Sequence, residues 1–489
     1  MADDGTQDVT LLGSLPVRVD GASNEEIALI RDAWTVWAKK YPRNQLRSRY
    51  FDGKVPVKLL GKELPVNIVQ RLKPVLDWPA KACTALARRS QFEGFAHPDH
   101  GDDPYDLDAL LWANDFKQEL AQAILSAYKH SCAFLTVTRG DTRRGQPEVV
   151  VHARSAEWTA GLWDHDLRRV AGVLAIKDVD KLGVPTQYDM HLPGVILACR
   201  RRAGMQGWVA ERIPTGILEV TAEPVVYDPQ LGRPFGRSRI SRAVMSTVND
   251  AMRQLARMEI AAEHYAIPRI MVLGMAEEAF REGKWKLSWD TIAGLTRDEE
   301  GNLPHIEQLT QLTMQPLVEQ FRQYASKFSA ETGLPLNSLG IVQDNPASAE
   351  AMYAAQKDLI EEAVCANHTH TGMLRRLVGK IVALRDGTPP PDLHRLEVTW
   401  KNPAFASFAA SADAVTKLAA VFPWFADSPV ALEAAGFTRA EIARLLADKQ
   451  RHQGAQRMEA LTAALNAQPQ PQSAVSAVTE DTGVQGDDT

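Results

Sequence analysis

Apolar side chains recur at Ile240, Val244, Val248, Met252, Leu255 and Met258, while Arg242, Ser246, Asn249, Arg253 and Arg257 take much of the other surface. A helical period kept up over about seven turns predicts one amphipathic helix from 238 to 265. Ser238 reads as its N-cap after the turn-like Gly232-Arg233-Pro234-Phe235-Gly236, and Pro268 closes it. At about 1.5 Å per residue it reaches on the order of 40 Å, so its stripe needs a partner over its whole length. A second helical segment, 311 to 328, carries Leu317, Phe321, Tyr324 and Phe328 and stops at Gly333-Leu334-Pro335. Between the two, Arg269 to Gly274 is strand-like and Trp285, Leu287 and Trp289 alternate, a stretch too short to hold a core of its own. A third helix opens with Asn345 as cap and Pro346 at its first position, and runs through Met352, Leu359 and Ala363 to about Val378.

Upstream, Ser23-Asn24-Glu25-Glu26 ahead of Ile27, Ile30, Trp34 and Trp37 has the spacing of a capping box. Residues 64 to 89 predict one or two helices with Val69, Leu72, Val75, Leu76, Ala80, Cys83 and Leu86 facing inward, and Trp112 to Tyr128 another. From Cys132 the period changes from helical to alternating. Strand-like runs at Cys132 to Val137, Glu148 to His152, Val170 to Ile176, Thr186 to His191, Val195 to Arg200 and Gly207 to Arg212 are parted by Gly, Asp and Pro turns, which predicts an antiparallel sheet. A strand at Asp392 to Thr399 and an alanine-rich helical region to about Leu465 follow. The ends, 1 to 24 and 467 to 489, read as flexible. The last is Gln-, Ser-, Pro- and Gly-rich, with Glu480, Asp481, Asp487 and Asp488 and no Lys or Arg. The fold class is α+β, mainly helical.

Composition narrows the chemistry. With 489 residues and a net charge of -6, the chain does not have the clustered cations that grip nucleic acid over a whole surface, although an acidic wall can surround DNA without adhering to it. Cys83, Cys132, Cys199 and Cys365 stand far apart in largely apolar or helical surroundings and read as reduced thiols. No apolar run is long enough to cross a bilayer, so no membrane partner is expected. Gly53-Lys54, Gly61-Lys62 and Gly379-Lys380 do not have the spacing and following Ser or Thr of a phosphate-binding loop, so neither catalysis nor a cofactor is expected. His368 and His370, placed on one side of a strand, Asp164-His165-Asp166, and His97 and His100 beside Asp99 each fall short of a zinc ligand set and read as surface or capping groups. Trp34 and Trp37 on the first helix, and Trp158 and Trp163 flanking a turn, read as buried.

Five stretches, in this order and spacing, resemble the portal proteins of tailed double-stranded DNA bacteriophages, in particular the actinobacteriophage group with long non-contractile tails. They are Tyr50-Phe51-Asp52-Gly53, the segment Arg71 to Phe95, Gly236-Arg237-Ser238-Arg239-Ile240, Pro335-Leu336-Asn337-Ser338-Leu339-Gly340, and Asn345-Pro346-Ala347-Ser348-Ala349-Glu350-Ala351. The likeness covers roughly residues 25 to 465. It implies a homo-oligomeric ring, typically of twelve subunits, at one capsid vertex of the virion, assembled in the host cytoplasm, through which DNA enters and leaves. By that resemblance 25 to 235 looks like a wing domain, 236 to 266 and 311 to 328 like stem helices and 267 to 310 like a clip. In the same way 329 to 345 looks like a tunnel loop, 346 to 403 like a long wing helix with a return strand, and 404 to 466 like a crown. Asn337, Ser338, Gly340, Asp344 and Asn345 become tunnel-loop candidates, and Arg239, Arg242 and Arg253 become stem candidates facing carboxylates or phosphates. The implied partners are double-stranded DNA without sequence specificity, the major capsid protein, the packaging ATPase (terminase) and a head-completion protein. The competing readings are another phage head or connector protein without a DNA channel, and a metal-dependent nucleic-acid hydrolase.

Overall fold

The computed structural model describes residues 15–57, 73–101, 103–202, 207–266, 270–273, 305–308, 313–341, 354–404, 408–437 and 439–466. Two compact units divide the chain, 1–403 and 404–489.

The first unit begins with a two-residue strand, β1 (Val19–Asp20), and then α1 (Asn24–Phe51). The capping box forms in full. Ser23 Oγ accepts the Glu26 N–H at 3.2 Å, and the Glu26 carboxylate accepts the Ser23 N–H at 2.8 Å. Pro42 lies inside α1 without ending it. One face of the helix, with Ile30, Ala33, Trp34 and Trp37, is sealed against a sheet of six strands. These are β5 (Thr159–Asp164), β6 (Arg169–Val179), β7 (Pro185–Leu192), β8 (Val195–Arg201), β9 (Trp208–Pro214) and β1 itself, in the order β1-β9-β8-β7-β6-β5. The expected loose start is therefore corrected at its end, because Val19 and Asp20 pair in parallel with Trp208 and Val209. Trp158 and Trp163 do not flank one turn either: Trp158 ends a turn, and Trp163 lies within the edge strand β5 that follows it.

A second sheet of three strands separates this layer from the helices. β3 (Cys132–Arg139) lies between β10 (Ala222–Val226) and β4 (Val149–Ser155), all antiparallel. Alternation sends Ala133, Leu135 and Val137 into the main core and Cys132 and Phe134 into a smaller cluster with Val170 and Val173. The main core is completed by α2 (Trp78–Ala87), α4 (Phe116–His130) and the long α7 (Lys357–Asp386). Burial of each large apolar side chain here is worth about 1.5–3 kcal/mol. The expected single helix from Trp112 is two. α3 (Asp108–Ala113) is separated from α4 by Asp115 at φ 46°, and Trp112 is 83% exposed. Val75, expected inside, is 57% exposed, and Phe92–Ala96 forms strand β2, paired with β13 (Glu397–Trp400).

The two amphipathic segments form α5 (Arg242–Ala266) and α6 (Gln315–Thr332), which pack on each other, with β11 (Ile270–Leu273) paired to β12 (His305–Gln308) between them in sequence. Two details differ from the reading of the sequence. The cap is Ser241, whose Oγ accepts the Val244 N–H at 3.2 Å; Ser238 instead donates to the Lys129 carbonyl at 2.6 Å. The apolar stripe is also consumed inside one chain over much of its length. Ile240, Val244, Val248 and Met252 are at most 3% exposed and join Ala325, Phe328 and Leu334 in the main core.

The second unit is helical, with α8 (Phe408–Val421), α9 (Pro429–Ala435) and α10 (Arg439–Asn466). Ser428 caps α9 by accepting the Val430 N–H, and Gly436 at φ 100° ends it. Val421, Trp424, Met458 and Leu461 are more than half exposed.

Candidate functional site

The chain passes from the sheets into α5 through the segment 235–241, and this crossing organises the site. Gly236 has φ 68°, and a Cβ there would lie 1.9 Å from the Tyr227 carbonyl oxygen, so only glycine allows the turn. Beyond it, Arg237 N–H donates to the same carbonyl at 3.0 Å and Arg239 N–H to the Tyr128 carbonyl at 2.9 Å. The backbone is held on both sides of Ser238.

This places Arg239 inside the protein, 6% exposed. Its guanidinium pairs with Glu362 on α7 and donates to the Thr332 carbonyl at the end of α6, while Tyr227 donates its hydroxyl to the same Glu362. Burial works against the charge on Arg239, but Glu362 outweighs it and holds the group above its ordinary value. Arg239 thus faces a carboxylate of its own chain, tying α5, α6 and α7 at one point. Arg253 sits on α5 beside Asp250, one turn back. Arg242 is exposed at the first turn of α5.

Thr332 gives way to Gly333, left-handed at φ 62°, and then to a 3₁₀ turn over Leu336–Leu339 ended by Gly340 at φ 82°. Leu334 and Leu339 are buried and pin this loop, and Lys81 Nζ donates to the Ser338 carbonyl at 3.2 Å. Asn337, Ser338 and Gly340 are exposed together on its outer side. Asp344 and Asn345, with the expected cap of the third helix, lie outside the described residues; α7 runs on past Val378 to Asp386.

Beside the crossing is a cavity of about 1080 Å³, bounded by α1, the 228–242 segment, the end of α6 and the start of α7. Lys40, Arg43, Arg47, Arg233, Arg237 and Arg242 line it. Arg237 is paired with Asp228 at 2.7 Å. Arg47 donates to the His130 carbonyl at 2.7 Å, but its Nε is sealed from solvent with no acceptor. Burial and the charge of Arg43 bring it down to about 10. At the cavity wall, His130 is held below its ordinary value by burial, against the pull of Glu157.

The histidines weighed as ligands take other roles. His370 is on the helix α7 rather than on a strand, 1% exposed between Tyr128 and Trp400, with neither ring nitrogen hydrogen-bonded. Asp164 Oδ1 accepts the Asp166 and Leu167 N–H groups and shapes the β5–β6 turn. His97, His100 and Asp392 bring their ligand atoms within 4.8 Å of one another. Asp392 was not visible as a partner in the sequence, being almost three hundred residues away. His97 Nδ1 accepts the Asp99 N–H at 3.1 Å, which leaves the proton of a neutral ring on Nε2, the atom that faces Asp392 at 3.4 Å. His100 at 3.0 Å and the Tyr105 hydroxyl at 2.8 Å complete that carboxylate's partners. The cluster is a hydrogen-bonded clasp between two loops, with the wrong tautomer for a metal on Nε2.

No family model matches the chain. It is 26% identical over 398 residues to the portal protein of Mycobacterium phage L5, covering 76% of this chain and 77% of that one. It is 27% identical over 417 residues to the portal protein of Mycobacterium phage D29, covering 81% and 83%. Among solved structures it is similar to a chain in the neck of a native GTA particle computed with C12 symmetry (TM-score 0.41, 13% identity, 90% of this chain and 98% of the other). A chain in the neck of an empty GTA particle computed with C6 symmetry gives a TM-score of 0.42 at the same identity and coverage. Over three quarters or more of its length, the chain is similar to phage portal proteins.

Proposed function

We propose that this chain is a portal-type structural protein: identical copies close into a ring, typically of twelve, around a channel for double-stranded DNA at one capsid vertex. The supporting observation is the similarity to two portal proteins along about three quarters to four fifths of both partners, not over one shared module. The role is structural, without catalysis, as a connector that other particle components dock to: the capsid shell, the packaging ATPase and a head-completion protein.

The physical layout supports this reading. The pair α5 and α6 is joined to the sheets through a crossing locked by Arg239 and Glu362, so load on the helices passes into the body of the subunit. The apolar stripe of α5 is filled from its own chain as far as Met252, while Leu255 and Met258 are only partly buried. In a closed ring each copy presents two different patches, and closure fixes the rotation per copy. The exposed turn with Asn337, Ser338 and Gly340 then faces the channel, where neutral polar side chains let DNA slide.

The test is native mass measurement and negative-stain imaging of the purified chain. Annular particles of about twelve copies with a central opening wide enough for duplex are expected; a monomer at high concentration, or a compact closed oligomer, would refute the reading.

A further inference from the structure

Seven cations line the cavity beside the 235–241 crossing against four carboxylates, Asp228, Glu331, Asp358 and Glu362, which leaves an excess of positive charge. Of its lining cations, Arg237 and Arg239 have carboxylate partners in Asp228 and Glu362. Lys40, Arg43, Arg47, Arg233 and Arg242 have no carboxylate partner among the described residues. Lys40, Arg43 and Arg47 succeed one another along one side of α1, at spacings of three and four residues that keep them neighbours. Their mutual repulsion is visible: partial burial, then Arg43, Lys39 and Arg47, hold Lys40 below its ordinary value. A group of like charges, one with a sealed and unsatisfied Nε, stabilises a fold only when an anion completes it.

We infer that this cavity is a socket for a carboxylate-bearing segment of a second copy of this chain, with Lys40, Arg43 and Arg47 meeting its acidic side chains. The inference rests on the reading that copies assemble. Size decides between anions. A recess of about 1080 Å³ is small beside a duplex whose major groove alone is ~12 Å wide, so a duplex cannot enter it. A single inorganic ion would leave most of it to water, since a water takes about 30 Å³. A loop with several side chains fits. A chain with net charge -6 carries carboxylates in excess, and complementary charge between copies fixes which patch meets which.

The test uses the full chain. Unlabelled and heavy-isotope-labelled copies are mixed, assembled and treated with a water-soluble carbodiimide, which joins a lysine Nζ to a carboxylate in contact with it. Peptide mass spectrometry should find Lys40 joined to an Asp or Glu of a differently labelled copy, in the assembled fraction only. Arg43 is exposed and repels Lys40 and Arg47, so Arg43→Glu should not lower the thermal midpoint and should weaken self-association by about tenfold or more. Lys40 joined only within its own copy, or unjoined in assembled particles, or an Arg43→Glu chain that associates like the parent, each overturns the socket. Rings that form without Lys40 coupling leave the portal reading standing; a chain that stays monomeric removes both.

Discussion

Removing the Glu362 carboxylate should be costly out of proportion to its own exposure. Its side chain is 27% exposed, whereas that of Arg239 is 3% exposed, so Glu362→Ala leaves a guanidinium in the interior with the Thr332 carbonyl as its one remaining acceptor among the described residues. Stranding one member of a buried pair costs about 3–5 kcal/mol. Water that reaches Glu362 softens the loss, which places the expectation near the lower end, at about 3 kcal/mol. Tyr227 loses its acceptor in the same change. In urea, with a slope of about 3 kcal/mol per M for a unit of this size, the midpoint should fall by about 1 M. Arg239→Met combined with Glu362→Ala removes both charges and should recover much of that loss, giving a coupling energy of about 2 kcal/mol. A single-variant loss below about 0.5 kcal/mol with additive behaviour in the double variant is the signature of a surface pair, and would refute the argument that this contact locks three helices.

Three further outcomes follow from other contacts. His370 is kept neutral by burial, which brings it from 6.5 down to about 4; the unfolded chain takes up its proton first, so stability is lost as pH falls from 6.5 to 4, by about 1.4 kcal/mol per pH unit. Urea titrations across that window should show a slope one proton shallower for His370→Leu, and an unchanged slope would contradict it; His191, brought down to about 3, acts in the same direction in both proteins. Glu223 and Lys380, each about 5% exposed or less and 2.6 Å apart, bind α7 to β10, so Glu223→Ala should lower stability by about 3 kcal/mol, while a thermal midpoint within a degree or so of the parent would show the pair to be dispensable. Ser23→Ala removes one half of the α1 capping box and should cost about 1 kcal/mol, read as faster amide exchange confined to the first turn of α1; uniform exchange along α1 would place the effect elsewhere.

What the sequence made legible was local. The capping box at Ser23, the strand run from Cys132 and the end of α6 at Gly333 all rest on residues close in the chain. The missed features had mixed signals: β5 is a strand of Thr, Ala, Gly, Leu, Trp and Asp with a central glycine, and the break between α3 and α4 needed a left-handed Asp115 that no composition announces. His370 was legible in principle, since Leu359, Ala363, Ala366, His370, Met373 and Leu377 repeat at three and four residues, but a short His-Thr-His run reads equally as alternation. The site was the least visible part. Arg239 finds Glu362 across 123 residues and Asp392 finds His97 across 295, and the stripe on α5 says that a partner exists without saying whether it lies in the same chain.

Strand β3 has oil on both sides: Ala133, Leu135 and Val137 on one, Cys132 and Phe134 on the other. A slip by a single residue would exchange the two sets and misfit both layers at once. The helices and the large sheet are therefore riveted through a common middle plate, and neither can shear over the other without unzipping it.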